Sequence, residues 1–368
     1  MQKDQNVRIS LVGDIFPANL PYTCGFGNGS AYLKDKENSW ENHLKLFFAE
    51  SDISFGNLEA PLLNNLEIID NSSFAGSTLF AHTLKKIRID IVSISNNHIL
   101  EYGKEGFFST LNALSQAGVN FVGVFNNYKS NIVVIEKNNL KFGFAAFNAI
   151  KDIPNPNLHA DLSLENIYKT LDEMDSLNID FKLLSFHWGD EYINIPSFDQ
   201  IKLVHSIVDY GADVIIGHHP HVIQPIERYN KGLIIYSLGN FVFDFLFSNE
   251  IKLGMKVDLI FKVDAEIDCL ISEVKLNEKS INSVSEPKEL REKLKLYKAK
   301  MDGLLNQSID SYSRHYLRTL KINRIYQRIM MKFKLIHLAI FTNNRKQVLR
   351  NIKYELSNKK NNSKTSIT

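Results

Sequence analysis

The chain has 368 residues, 44% of them hydrophobic and 23% charged, enough to bury a full core in about two domains. A formal net charge of +2 removes any global electrostatic case for nucleic-acid binding. Its two cysteines, Cys24 and Cys269, lie far apart, which argues against a disulfide framework and for a reducing compartment. No uninterrupted run of about 18 apolar residues is present, so no membrane-spanning helix is expected. The first strand-like run starts near Val7 and leaves no room for an apolar signal core. The expected location is the cytoplasm, with peripheral attachment at the membrane as a variant.

Residues 7–12 alternate and then run apolar, as a buried strand does, and end at Gly13-Asp14. A carboxylate at a strand's C-terminal edge, after a glycine that lets the backbone turn, is where open α/β sheets place ligand chemistry. A loop rich in Gly, Asn, Pro and Tyr follows from about Ile15 to Gly29. Ser39-Trp40-Glu41-Asn42 opens a helix to about Glu50, with Leu44, Phe47 and Phe48 inside. A second strand ends in Gly56-Asn57-Leu58-Glu59. Beyond a polar insertion (64–77) and a short helix (83–87), a third strand (89–95) ends in Asn96-Asn97-His98. A helix over 104–117 closes at Gly118, a C-cap. Strands follow over 119–125, 132–135 and 140–147, the last two a hairpin through Asn138-Asn139.

Residues 162–177 form an amphipathic helix, and the strand over 181–186 stops at His187-Trp188-Gly189-Asp190-Glu191-Tyr192. A helix over 199–210 feeds the apolar run 212–216, which ends in Gly217-His218-His219-Pro220-His221. Imidazoles at alternate positions of an extended segment share a side, so His219 and His221 can reach one point. A turn (229–232) and a strand (233–238) enter Gly239-Asn240-Phe241-Val242-Phe243-Asp244, and a hairpin over 255–263 and 269–276 closes the domain. After about Pro287 the chain is helical, and Lys and Arg outnumber Asp and Glu by roughly three or four to one. Ile322, Ile325, Ile329, Phe333 and Ile336 share one helical face there. The expected division is a domain over 1–285, a basic helical segment over 286–355 and a disordered tail over 356–368.

Asp14, Asn57, Glu59, Asn97, His98, His187, His219 and His221 thus stand at strand ends and converge on one rim if those strands share a sheet. Carboxylates, amide oxygens and imidazoles without thiolates suit Mn, Fe, Zn or Mg with positions open to water. Six or seven such groups exceed one tetrahedral ion and suit two divalent metal ions, a centre that activates water for in-line attack on phosphorus.

Gly13-Asp14, Gly56-Asn57-Leu58-Glu59, Asn96-Asn97-His98, the 187–192 block, Gly217-His218-His219-Pro220-His221-Val222 and the 238–244 block together resemble the CapA family. That is the capsule or poly-gamma-glutamate synthesis family, related to calcineurin-like metallophosphoesterases, and the resemblance covers about residues 7–250. It implies an α/β fold, a four-layer α/β/β/α metallophosphoesterase-like sandwich, here with a C-terminal helical extension. It further implies Asp14 and His221 at a first metal, Glu59 as the bridging acid, and Asn97, His187 and His219 at the second. His98 is similar to the histidine that serves the leaving oxygen in such enzymes, and Asn57, Glu191, Tyr192 and Asn240 fall to the substrate wall or the support of the ligands. Phe16 stands where classical members carry a further His ligand, and Glu101 where the family usually has Asp. The implied function is a two-metal phosphoesterase or hydrolase of surface-polymer biosynthesis, with a non-catalytic polymer-binding or synthase-complex role as the alternative. Expected partners are an anionic polymer or a phosphorylated small molecule, with a synthase complex or the membrane surface met through the basic C-terminal helices.

Overall fold

The structure, a computed structural model, describes residues 6–34, 39–126, 129–151, 157–244, 246–262, 266–276, 281–284 and 287–365. Two mixed sheets carry the fold. In the first, the strands Val7–Ile15, Ile53–Leu58, Ile91–Ser93 and Asn120–Val122 run parallel in that order. Leu253–Phe261, Ile267–Leu276 and Ile281–Val284 extend it antiparallel on the other side of Val7–Ile15, and Asn240–Val242 pairs with that strand's end. In the second, Leu140–Asn148, Phe181–His187, Val214–His218 and Gly232–Ile235 are parallel, with Val133–Lys137 and Ile226–Tyr229 as antiparallel edges.

Alternation along these strands explains the layering, because successive side chains point to opposite faces. Ile9, Leu11 and Phe55 of the first sheet meet Phe144, Leu183 and Ile216 of the second in one core. The opposite face of the first sheet (Val12, Leu58, Val92) packs on Phe80, Phe107 and Leu114 of its helices. The opposite face of the second (Phe147, Phe186, Ile215) packs on Ile167, Leu171, Ile201 and Val204. The result is the expected α/β/β/α sandwich with a helical C-terminal extension.

Local signals set the element ends. Gly118 takes the left-handed conformation (φ 70°) that closes the helix Gly103–Ala117. Asn138 and Asn139, at φ 52° and 64°, turn the hairpin. Ser197 and Gln200 form a reciprocal cap on Phe198–Tyr210. Two expectations need refinement. The helix from Ser39 ends at Leu44 and continues as the 3-10 turn Lys45–Phe48. The polar insertion holds a short helix, Leu66–Asn71, capped by the Asn65 side chain.

The extension comprises the helices Lys288–Leu305, Ile309–Phe341 and Arg345–Thr365, the last running through the stretch expected as a tail up to Thr365. Leu290 joins the inter-sheet core, while Met301, Tyr312 and Leu320 join the core outside the second sheet. The long helix Ile309–Phe341 buries Tyr312, Tyr316, Leu320, Gln327 and Leu338, whereas Ile322, Ile325, Ile329, Phe333 and Ile336 are 46–63% exposed. It is therefore apolar on two faces, one docked and one open to solvent. No helix among the described residues is long and apolar enough to cross a membrane.

Candidate metal centre

The parallel strands of both sheets deliver their C-terminal ends to one end of the sandwich. The converging residues come from the two sheets of the sandwich, so the rim forms without one shared sheet: Asp14, Asn57 and Glu59 from the first, His187 and His218 from the second. Apolar strand runs look alike whichever sheet they join. Asp14 sits in register with Asn57 on one side and Asn240 on the other, and His187 with His218. Gly13 does not turn the chain. It lies inside the strand, where a Cβ would overlap the Gly239 carbonyl oxygen, so glycine permits the close pairing that brings Asn240 beside Asp14.

His219 and His221 reach the site by a different route from the expected extended alternation. Both are left-handed, at φ 93° and 56°, in a tight turn just past Val214–His218. Held this way, the ligand atoms form two groups. Glu59, His187 and His219 offer donors within 4.8 Å of one another, as do Asp14, Glu59 and His221, all buried. Glu59 is common to both. His187 Nε2 lies 3.4 Å and His221 Nε2 3.8 Å from Glu59 Oε1. His221 Nδ1 is 3.4 Å from Asp14 Oδ2.

The donor set fits a cation pair. Both Glu59 oxygens are buried without a hydrogen-bond partner among the described residues, as is His219 Nδ1. A carboxylate left so is costly unless a cation or proton meets it. In the metal-free protein the proton does: burial, then the Asp14 carboxylate, pushes the Glu59 carboxyl up to about 8. Burial works against Asp14 too, but hydrogen bonds from His218 and His221 outweigh it and hold Asp14 well below the usual carboxylate range. Burial keeps His187 and His219 well below the ordinary imidazole value, hence neutral and ready to ligate. His221 departs from that pair. Burial opposes its charge, but the Glu59 and Asp14 carboxylates hold its proton to about 10.

A second ring orients these groups. Asn57 Nδ2 donates to Asp14 Oδ1 at 2.9 Å and lies 3.3 Å from His187 Nδ1. Asn96 Nδ2 donates to Asn57 Oδ1 at 3.2 Å. Asn97 Oδ1 is 2.8 Å from His187 Nε2, which brings it to the Glu59–His187–His219 side. Asn240 Oδ1 faces His221 Nδ1 at 3.0 Å. Of the expected wall residues, Asn57 and Asn240 thus contact the ligands directly. Tyr192 lies 6.3 Å, ring to ring, from His221, and it lines the open cavity with Glu191.

His98 stands at the edge of the centre, stacked on Phe74 at 4.5 Å, with Nε2 3.2 Å from Asn97 Nδ2 and Nδ1 2.8 Å from Glu101 Oε1. The longer Glu101 thus reaches the imidazole from the position where the family usually has Asp. Phe16, packed with Ala18 and Ala60, fills the place of the absent ligand with apolar surface.

Two residues that support the candidate centre escape the sequence-based expectation. His218 is fully buried with Nδ1 3.2 Å from Asp14 Oδ1. Its place among three clustered imidazoles is the available signal, but alternation assigns it to the opposite side. Asp244 accepts from the backbone N–H of Leu20 and Asn28, at 2.9 and 3.3 Å, and from the Thr23 hydroxyl. It ties down the long loop beside the centre.

The family described as bacterial capsule synthesis protein PGA_cap matches residues 8–245. The capsule biosynthesis protein CapA of Bacillus anthracis is 34% identical over 259 residues, 66% of this chain and 61% of that one. The PGA biosynthesis protein CapA of Bacillus subtilis (strain 168) is 32% identical over 216 residues, 55% of this chain and 56% of that one. The match thus spans about three-fifths of the length of these relatives. Among solved structures, the 5'-nucleotidase of Candida albicans SC5314 superposes with a TM-score of 0.42 at 9% identity, over 90% of this chain and 59% of that one.

Proposed function

This chain belongs to the bacterial capsule synthesis protein family, PGA_cap, and on that footing we propose that it is a metal-dependent hydrolase of phosphoester bonds serving capsule or poly-gamma-glutamate synthesis. The observation that carries this is Glu59, a buried carboxylate with no hydrogen-bond partner among the described residues, which belongs to both candidate ligand groups. Asp14, Glu59 and His221 would hold one cation, and Glu59, His187 and His219, with the Asn97 carboxamide oxygen, the other. Two divalent ions of the Mn, Fe, Zn or Mg class would supply positive charge to a phosphoryl group and acidify water. The chain's own groups do the rest. Asn57 and Asn240 aim the ligands, and His98, oriented through Nδ1 by Glu101, would take up a proton at Nε2, where the Asn97 amide now donates at 3.2 Å, and pass it to the leaving oxygen.

The test is elemental analysis of the purified protein together with phosphodiester and phosphomonoester assays. The parent should carry divalent metal and hydrolyse one class of ester, and His187→Ala should lose both. Hydrolysis unchanged in His187→Ala, or no metal taken up by the parent, overturns the reading.

The exposed stripe at Ile322, Ile325, Ile329, Phe333 and Ile336, flanked by Lys321, Arg324, Arg328 and Lys332, favours a second reading. In it the chain is a non-catalytic component that lies on the anionic membrane surface beside a polymer synthase. Deleting the whole extension cannot test this, because Leu290, Met301 and Tyr312 are fully buried parts of the core. Charged substitutions within the stripe can.

A further inference from the structure

The loop 188–197, which follows His187, is bonded to two parts of the molecule far apart in sequence. One is the turn that carries His219 and His221. Trp188 N–H donates to the His218 carbonyl at 3.2 Å, and Tyr192 N–H to the Pro220 carbonyl at 2.8 Å. The other is the extension. From one face of the helix Ile309–Phe341, Tyr312 Oη donates to the Pro196 carbonyl at 2.7 Å, Tyr316 Oη to Asp190 Oδ2 at 2.9 Å, and Asn323 Nδ2 to the Tyr192 carbonyl at 2.8 Å. Arg324 adds a bond to Asp190 Oδ1 at 2.9 Å, but both side chains are partly open to solvent, so that pair contributes little.

Three residues of this loop and turn are left-handed without being glycine: Tyr192 at φ 65°, His219 at 93° and His221 at 56°. A Cβ makes that backbone costly, and it persists only where the surroundings over-determine it. Tyr192 is the joint between the two clamps. Its N–H is bonded to Pro220, which stands between the two left-handed histidines, and its carbonyl is bonded to Asn323. Two hydrogen bonds and one residue thus separate the extension from the backbone that aims both imidazoles. Tyr312, Tyr316 and Asn323 all lie outside residues 8–245, the stretch matched by the family.

We propose that Asn323 is a positioning residue of the candidate metal centre: by holding the Tyr192 carbonyl it keeps Tyr192 N–H on Pro220, and so keeps His219 and His221 aimed at Glu59 from opposite ligand groups. Tyr316 assists by gripping Asp190 two residues earlier in the loop. The extension is then a working part of the site. Without the amide donor, Tyr192 is free to relax from its left-handed conformation, the bond to Pro220 weakens, and the turn loses one of the contacts that offset its own backbone cost. Only the effect on metal affinity rests on the metal-centre reading above; the hold on the turn stands apart from it.

The experiment has two readouts on the full chain: hydrogen exchange of the metal-free protein in peptides over 188–197 and 217–222, and zinc affinity by competition against a chelating dye. Asn323→Ala should speed exchange in both peptides about threefold or more and weaken zinc about tenfold, with Asn323→Gln, which keeps the amide donor on a longer arm, recovering part of both. Leu290→Ala separates positioning from general stability. It opens the inter-sheet core from another helix of the extension, so it should lower the melting temperature and leave zinc affinity and exchange over 217–222 at parent values. Parent exchange over 217–222 in Asn323→Ala overturns the proposal. So does faster exchange with unchanged zinc affinity, or an equal loss of zinc in Leu290→Ala. Should Asn323→Ala not fold, Tyr316→Phe decides, with both effects expected in the same direction and parent values counting against. A parent that takes up no zinc ends the metal-centre reading, and exchange alone then decides the positioning. A parent that binds zinc while Asn323→Ala changes nothing keeps the centre and loses the positioning.

Discussion

Asn240 and His221 hold each other in place. The Asn240 carboxamide donates through Nδ2 to the carbonyls of His221, at 3.3 Å, and Ile251, at 3.0 Å, so its Oδ1 is the acceptor facing His221 Nδ1 at 3.0 Å. That bond keeps a proton on Nδ1 and turns Nε2 toward Glu59. Asn240→Ala should therefore lower metal affinity about 10–100-fold with the fold intact, read by competition against a chelating dye.

The metal-free protein should be most stable near pH 6.5 as far as the centre sets its stability. Below that value the unfolded chain protonates histidines at 6.5 that burial keeps neutral in the fold at positions 187 and 219, so stability falls as pH falls. Above it, Glu59 holds its proton to about 8 against 4.5 unfolded, and His221 to about 10 against 6.5, so stability falls as pH rises. Melting temperature against pH checks this, and Glu59→Gln should flatten the alkaline limb. Metal loading at pH 7 should release about one to two protons, measurable by calorimetry in buffers of different ionisation enthalpy.

His98→Ala should lower kcat by about 10²–10⁴ with metal content unchanged. Glu101→Gln should act in the same direction by a smaller factor, since Glu101 meets His98 Nδ1 at 2.8 Å and orients the ring. Steady-state rates across pH, with metal quantified in each sample, make the comparison.

Gly13→Ala should destabilise the fold by about 3 kcal/mol or more. Its Cβ would run into the Gly239 carbonyl oxygen, and that atom is backbone that cannot move without parting Asp14 from Asn240. Chemical denaturation measures the loss, and any folded fraction should bind metal weakly.

Ile325→Asp with Phe333→Asp should leave the melting temperature within about a degree or two of the parent, because these side chains are 52% and 63% exposed. Sedimentation with phosphatidylglycerol vesicles should fall several-fold if the stripe lies on a membrane surface. Equal sedimentation of parent and variant removes that docking mode.

The identity of the chemical groups was legible from residue order alone. Short apolar runs ending in Asp14, Asn57, Glu59, Asn97, His187, His219 and His221 mark the strands and the polar candidates at their ends, since strand period and turn residues are local properties. Gly118, Asn138 and Asn139 marked element ends for the same reason, because left-handed backbone is a matter of one residue's sterics.

Residue order could not decide how those ends meet. Both sheets contribute to the candidate centre, and the left-handed turn at His219 and His221, not strand alternation, aims the imidazoles. His218 meets Asp14, and Gln327 walls the same cavity as Glu191, only because distant segments pack together. Local sterics and periodicity act over a few residues and can be read in order. Burial, sheet membership and the company of a charged group are set by segments far apart in the chain, which only the packed structure brings into contact.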